Sequence, residues 1–140
     1  MNIFDYNLIV ISYCIVIIKV GIILVSKDKI YCCSSNLHRE MLDTLNNVHP
    51  FEHVLYILYM DYLLSDEDVL KFATENNIDG IVMSESRFNK VFVSNLKNAG
   101  IHSYVHTIND LEKAKSYINS GVYGIYTDYL LSGELEIDKK

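Results

Sequence analysis

The chain has 140 residues and a mass of 16.1 kDa, room for one domain or one domain with an added anchor. Half of the residues are hydrophobic, 21% are charged and the mean hydropathy is +0.13, so a packed core is expected rather than a disordered chain. A net charge of −6 excludes the basic surface that displaces counterions from nucleic-acid phosphates, and the length excludes a complete (β/α)8 barrel, which takes at least ~200 residues.

Residues 8–25 read LIVISYCIVIIKVGIILV, interrupted by Lys19 and a few small residues. A helix of that length covers ~27 Å of a ~30 Å hydrocarbon core, so a membrane anchor with lipid contact through 8–25 is the first expectation. Lys19 opposes it, because a charge near the middle of a span costs ~2.5–3.5 kcal/mol unless it snorkels to an edge. Two other readings stay open. Buried β-strands suit the Ile and Val content, whereas a signal sequence lacks basic residues before the run and an Ala-x-Ala site after it. With an anchor the protein is membrane-associated, and Lys27 and Lys29 place the rest on the cytoplasmic side; without one it is cytoplasmic. Cys14, Cys32 and Cys33 show no zinc spacing and read as unpaired thiols. The organisation expected is an apolar N-terminal segment and linker over 1–40, then an α/β body over 41–140.

A short helix is expected at 41–47, and beyond it apolar runs alternate with amphipathic stretches. The runs are 54–59 (VLYILY), 80–83 (GIVM), 101–106 (IHSYVH) and 122–126 (VYGIY). The first helix starts at Ser65, with Asp68 as its capping-box partner and Val69, Leu70, Phe72 and Ala73 facing inward. The second covers 88–98, with Phe88, Val91, Phe92 and Leu96 on one side and Gly100 at the C′ position. The third starts at Asn109, buries Leu111, Ala114 and Ile118, and stops before Gly121.

Strand and helix in alternation make the βαβ grammar of a parallel sheet, and the right-handed crossover rule puts the carboxyl ends of the strands on one rim. Chemistry in such folds sits beyond those ends. Chain order places Tyr59, Asp61, Ser84, Glu85, His106, Thr107, Asn109, Thr127 and Asp128 there. Carboxylates and a histidine in one place suit oxygen ligation of a divalent cation or proton exchange with a substrate. The bland alternatives are a helix-capping role for Asn109 and a solvated loop position for Glu85 and Asp61. No Gly-rich phosphate loop is present, which weakens a third reading, an ordinary four-stranded α/β domain binding an anion at helix N-termini.

The stretch GIHSYVHTINDLEKAKSYINSGVYGIYTD, residues 100–128, resembles the last two βα units of the glycerophosphodiester phosphodiesterases, phospholipase C-like TIM barrels. Their pattern runs Gly, a strand ending in Trp-Thr-Val-Asn, a helix, Gly-Val-Asp-Gly-Ile and Thr-Asp. Here it reads His106-Thr107-Ile108-Asn109, Gly121-Val122-Tyr123-Gly124-Ile125 and Thr127-Asp128, with the likeness extending back to about residue 54.

The resemblance implies parallel βα units forming a half TIM barrel behind the apolar N-terminal segment. It also implies a small-molecule phosphodiester as ligand and Mg²⁺ or Ca²⁺ as cofactor. His106, Thr107, Asn109, Thr127 and Asp128 would then line the substrate rim, with Glu85 as a metal ligand. The family's catalytic His-Arg-Gly, Glu-Asn-Thr, Glu-x-Asp and second His motifs are absent, and His38-Arg39-Glu40 is only a partial echo of the first. No catalytic residue is therefore assigned, and the chain is expected to be a truncated phosphodiesterase inactive alone. The alternative is a non-catalytic remnant or membrane-tethered module. A half barrel would expose sheet edges at 54–59 and 122–126, which invites self-association.

Overall fold

The computed structural model describes residues 8–10, 15–18, 21–26, 29–34, 42, 47, 53–58 and 64–135. The chain divides into two compact units, one of Met1–Ser12 with Val82–Lys140 and one of Tyr13–Ile81.

In the unit Tyr13–Ile81, the strands are β2 (Ile15–Ile18), β3 (Gly21–Ser26), β4 (Lys29–Ser34) and β5 (His53–Ile57), followed by helix α1 (Asp66–Glu75). β2, β3 and β4 form an antiparallel meander, and β4 then pairs parallel with β5, Cys32 standing opposite Val54. α1 begins as its residues dictate. Ser65 Oγ accepts from the Asp68 amide at 3.1 Å, and the Ser65 amide donates back to the Asp68 carboxylate at 3.3 Å. Such a reciprocal cap stabilises a helix by ~1 kcal/mol. Val69 and Ala73 of α1 are buried, and Phe72 meets Tyr56 of β5 at 5.2 Å between ring centres. Asp79 ties the start of the next strand to β5, its carboxylate accepting from the Val54 amide at 2.8 Å and lying 3.4 Å from His53 Nδ1.

The strands and helices of the other unit are β1 (Leu8–Val10), the second half of β6 (Gly80–Ser84), α2 (Lys90–Asn98), β7 (His102–His106), α3 (Leu111–Asn119) and β8 (Gly124–Thr127). The strand order there is β1-β8-β7-β6, with β8 parallel to both of its neighbours. From β5 to β8, strands and helices alternate, the α/β arrangement of part of a TIM barrel. After each of α1, α2 and α3 a left-handed residue turns the chain towards the next strand: Asn77 at φ 53°, Gly100 at φ 76° and Gly121 at φ 96°. The next residue, Ile78, Ile101 or Val122, is buried and donates its amide back into the preceding helix, which anchors the turn.

The backbone corrects three expectations. The described residues of the run 8–25 are extended, in β1, β2 and β3, and among the described residues no helix is long and apolar enough to cross a membrane. Of the readings that run allows, the strand reading is the one the backbone adopts. The sheet edges expected to be open are paired, β5 by β4 and β8 by β1, because the N-terminal strands supply their backbone partners. The second helix starts at Lys90, capped by Asn89 Oδ1 accepting from the Val91 amide at 2.9 Å, so Val93 rather than Val91 turns inward with Phe92 and Leu96. Of the helix expected at 41–47, Leu42 and Asn47 are helical and the rest lies outside the described residues.

Candidate functional site

The carboxyl ends of β7 and β8 lie side by side, because the two strands are parallel, with Val105 opposite Ile125. Two residues of the chain leaving β7 then fix the local geometry. Ile108 is buried and donates its amide to the Tyr126 carbonyl at 2.8 Å, which pins the loop against β8. Asn109 follows, aimed at the end of β8. Its Oδ1 accepts from the Thr127 hydroxyl at 3.0 Å and from the Asp128 amide at 2.9 Å, while its Nδ2 donates to Asp128 Oδ2 at 3.1 Å.

Thr127 completes this clasp from below. It is 0% exposed, and its Oγ1 accepts from the amides of Tyr129 at 3.3 Å and Leu130 at 3.2 Å while its hydroxyl hydrogen goes to Asn109. A buried hydroxyl left without partners costs ~1–3 kcal/mol, so this site is built rather than incidental.

Asn109 does not cap the helix. Asp110 does, its Oδ1 accepting from the Lys113 amide at 2.8 Å, so α3 begins one residue later than expected. Two adjacent cap-competent residues divide the labour: Asp110 serves the helix and Asn109 serves the rim. Thr107 and Asp128 are exposed on that rim, and His106 is half-buried beside them. Burial holds the His106 imidazole below its ordinary range and so favours its neutral form. A neutral imidazole offers one donor and one acceptor.

Glu85 goes elsewhere. It opens a short 3-10 turn (Glu85–Arg87) after β6, and its carboxylate pairs with Lys113 and accepts from the Tyr117 hydroxyl at 3.3 Å. Lys113 and Tyr117 lie four residues apart on α3, one turn of one face. The hydrogen bond to Glu85 raises the Lys113 pKa, and burial followed by the Glu85 charge raises that of Tyr117. Phe88 packs edge-on against Tyr117 at 4.8 Å. The sequence reading missed Lys113 and Tyr117; their i, i+4 spacing was the available signal. Ser84 and Ser86 meet through their hydroxyls at 2.8 Å, and Tyr59 and Asp61 lie outside the described residues.

The donor set for a divalent cation is correspondingly thin. Glu85 is engaged by Lys113 and Tyr117, Asp128 is held by Asn109, and the described residues contain no group of three or more His, Cys, Asp or Glu able to hold a metal ion. These residues do not fit the metal that the resemblance implies.

A groove of about 410 Å³ opens at the opposite end of the same strands, lined by Ile101, His102, Ile118, Val122 and Tyr123 among others. It lies where helices run into strands, on the side of such folds that serves stability rather than chemistry.

No family model matches the sequence, and no curated protein does. Solved structures do match. One is an Oleispira antarctica phosphodiesterase in complex with the product sn-glycerol-3-phosphate, at 22% identity and a TM-score of 0.62, covering 76% of this chain and 40% of that one. Another is a glycerophosphodiester phosphodiesterase from Parabacteroides distasonis ATCC 8503, at 23% identity and a TM-score of 0.54, covering 74% of this chain and 40% of that one. The chain thus spans about two fifths of the length of the structures it matches. Identities this low speak for fold alone, and in fold the chain is similar to part of the TIM barrel of these phosphodiesterases.

Proposed function

We propose that this chain binds a glycerophosphodiester, or the glycerol phosphate derived from it, on the rim formed by the ends of β7 and β8. The observation that carries the reading is the Asn109–Thr127–Asp128 clasp, which holds an exposed carboxylate at the end of β8, next to the strand end that carries the half-buried His106. It stands in a fold whose solved neighbour carries sn-glycerol-3-phosphate. In this reading Asp128 accepts from ligand hydroxyls, because a carboxylate facing a phosphate would only repel it. Neutral His106 donates to a phosphate oxygen without bringing a charge, and Thr107 adds a hydroxyl beside it. Thr127 and Asn109 hold the rim in shape and touch the ligand little.

Hydrolysis is a separate matter. Cleaving a phosphodiester needs an acid and a base on either side of phosphorus and charge neutralisation of its oxygens. The rim supplies one imidazole, His106, and the described residues no metal set, so this chain by itself is read as a binder without turnover.

Two experiments test the proposal together. Calorimetric titration with sn-glycerol 3-phosphate should give binding that weakens about tenfold in Asp128→Ala, the loss of one well-placed polar contact to a ligand. Glycerophosphocholine incubated with the chain and Mg²⁺ or Ca²⁺ should remain intact. Absence of binding, or binding indifferent to Asp128, defeats the first half; release of choline defeats the second.

A further inference from the structure

We infer that Lys113 is the cation that takes the phosphate of the rim's ligand, with Glu85 as its resident partner, so that the phosphate lies towards the end of β6 and the glycerol hydroxyls towards the end of β8. This rests on the function proposed above, which names a phosphate ester but no positive charge to meet it.

A phosphate monoester carries about −1.5 to −2 charges near neutral pH. The clasp adds another negative charge, Asp128, and burial favours the neutral form of His106. In a chain of net charge −6, a phosphate settles at such a rim only where a cation stands close by. Strand order says which cation that is. β6, β7 and β8 are neighbours in the sheet and each is joined to the next by a helix, so their carboxyl ends share one side. The end of β7, with His106 and Thr107, therefore lies between the ends of β6 and β8. At the β8 end Asn109 holds Asp128; at the β6 end Glu85 holds the Lys113 ammonium. Lys113 stands in the first turn of α3, its amide bonded to Asp110, directly after the loop that carries Thr107 and Asn109. Strand ends two spacings apart are separated by ~10 Å, a gap that a three-carbon phosphate ester bridges when side chains reach in from both sides.

The other cations among the described residues of Val82–Lys140 are Arg87, Lys90, Lys97 and Lys115. Lys97 lines the groove at the opposite end, and Lys115 pairs with Glu112. Arg87 closes the 3-10 turn and Lys90 opens α2, so both belong to the connection leaving β6 and not to the chain leaving β7.

The Glu85–Lys113 pair is suited to exchange. The two side chains are 36% and 52% exposed, and an ion pair so placed contributes little to stability. Tyr117 donates to the same Glu85 oxygen at 3.3 Å, so the carboxylate keeps a partner when Lys113 turns to a phosphate. A lysine is fitted to that turn, being a compact charge on a flexible stem that binds phosphate without a fixed geometry.

The test is calorimetric titration of the full chain at pH 8 with sn-glycerol 3-phosphate and with glycerophosphocholine, whose phosphodiester carries a single negative charge. Lys113→Gln, Glu85→Gln, the double variant of the two, Lys90→Gln and Lys115→Gln are compared with the unmodified chain, with circular dichroism run on each. Lys113→Gln should weaken glycerol 3-phosphate about tenfold and glycerophosphocholine less, about threefold, in step with the ligand charge. Glu85→Gln keeps an acceptor for Tyr117 but releases Lys113, and should tighten glycerol 3-phosphate about threefold; the double variant should lose that gain. Lys90→Gln and Lys115→Gln should bind as the unmodified chain does. The inference is overturned if Lys113→Gln binds glycerol 3-phosphate undiminished, if it weakens both ligands equally, if Glu85→Gln weakens binding, or if Lys90→Gln loses more than Lys113→Gln. In each of those outcomes the unmodified chain still binds and the function proposed above stands. Absence of binding by the unmodified chain defeats that function and this inference with it, so the two failures are distinguishable.

Discussion

Asn109 and Asp128 stand 19 residues apart in sequence and meet at 3.1 Å across the ends of β7 and β8, amide to carboxylate. The other atom of that amide, Oδ1, accepts both the Thr127 hydroxyl and the Asp128 backbone amide, so one side chain sets the geometry of two loops. A rim made this way is preorganised: a ligand meets groups already oriented and does not have to order them.

Removing the clasp should therefore cost stability as well as function. Asn109→Ala leaves the buried Thr127 hydroxyl without its acceptor and is expected to destabilise the fold by about 1–3 kcal/mol. Asn109→Asp keeps the acceptor but sets a carboxylate against Asp128, and should recover only part of the loss at neutral pH. Urea unfolding of the three proteins gives the comparison.

Thr127 gives a sharper contrast. Thr127→Val preserves shape but strips the acceptor from the amides of Tyr129 and Leu130, with an expected loss of about 1–3 kcal/mol. Thr127→Ser keeps the hydroxyl and should lose less than about 1.5 kcal/mol, the range of one buried methyl. Equal melting temperatures for the two variants would remove the hydroxyl from the account.

His106 sets a pH dependence whose sign can be worked out. Burial lowers its folded pKa below the ordinary 6.5, so between those two values the unfolded chain binds more protons than the folded one. Stability from this group is complete above pH 6.5 and is lost as pH falls through the lowered value. His106→Phe should flatten that part of the stability profile, measured by thermal melts between pH 7.5 and pH 5 (roughly one unit or more to either side of the histidine range). A slope unchanged by the substitution would assign it to another group.

The helix-to-strand turns make a backbone prediction. A Cβ at Gly100 would meet nothing within 4 Å, and one at Gly121 would touch only Val93 Cγ1 at 3.7 Å, an ordinary contact. Space is therefore not at issue, and Gly100→Ala and Gly121→Ala should each cost ~1–2 kcal/mol through the left-handed backbone alone. Denaturant midpoints check this directly.

Local chemistry was legible in the sequence, and long-range pairing was not. Ser65 with Asp68, and Gly100 and Gly121 after their helices, announce caps and turns through residues within a few positions of each other. The gathering of His106, Thr107, Asn109, Thr127 and Asp128 at one end followed from chain order and strand direction. Which of Asn109 and Asp110 caps α3 is not written locally, since both side chains can; the choice falls to Thr127, 18 residues away. Glu85 is claimed by Lys113 and Tyr117 from α3 for the same kind of reason. The run 8–25 misled because a largely apolar stretch of eighteen residues satisfies a helix and strands alike. Lys19 and Gly21, which interrupt it, were the better guide: β3 begins at Gly21.

Chemical-shift mapping of the isotopically labelled chain during titration with sn-glycerol 3-phosphate tests the central claim most directly, because it reports where the ligand sits. Binding on the proposed rim predicts shifts concentrated at residues 106–109 and 127–131, with residues 100–103 and 118–123 around the opposite groove unmoved. Shifts confined to that groove, or none at saturating ligand, would contradict it.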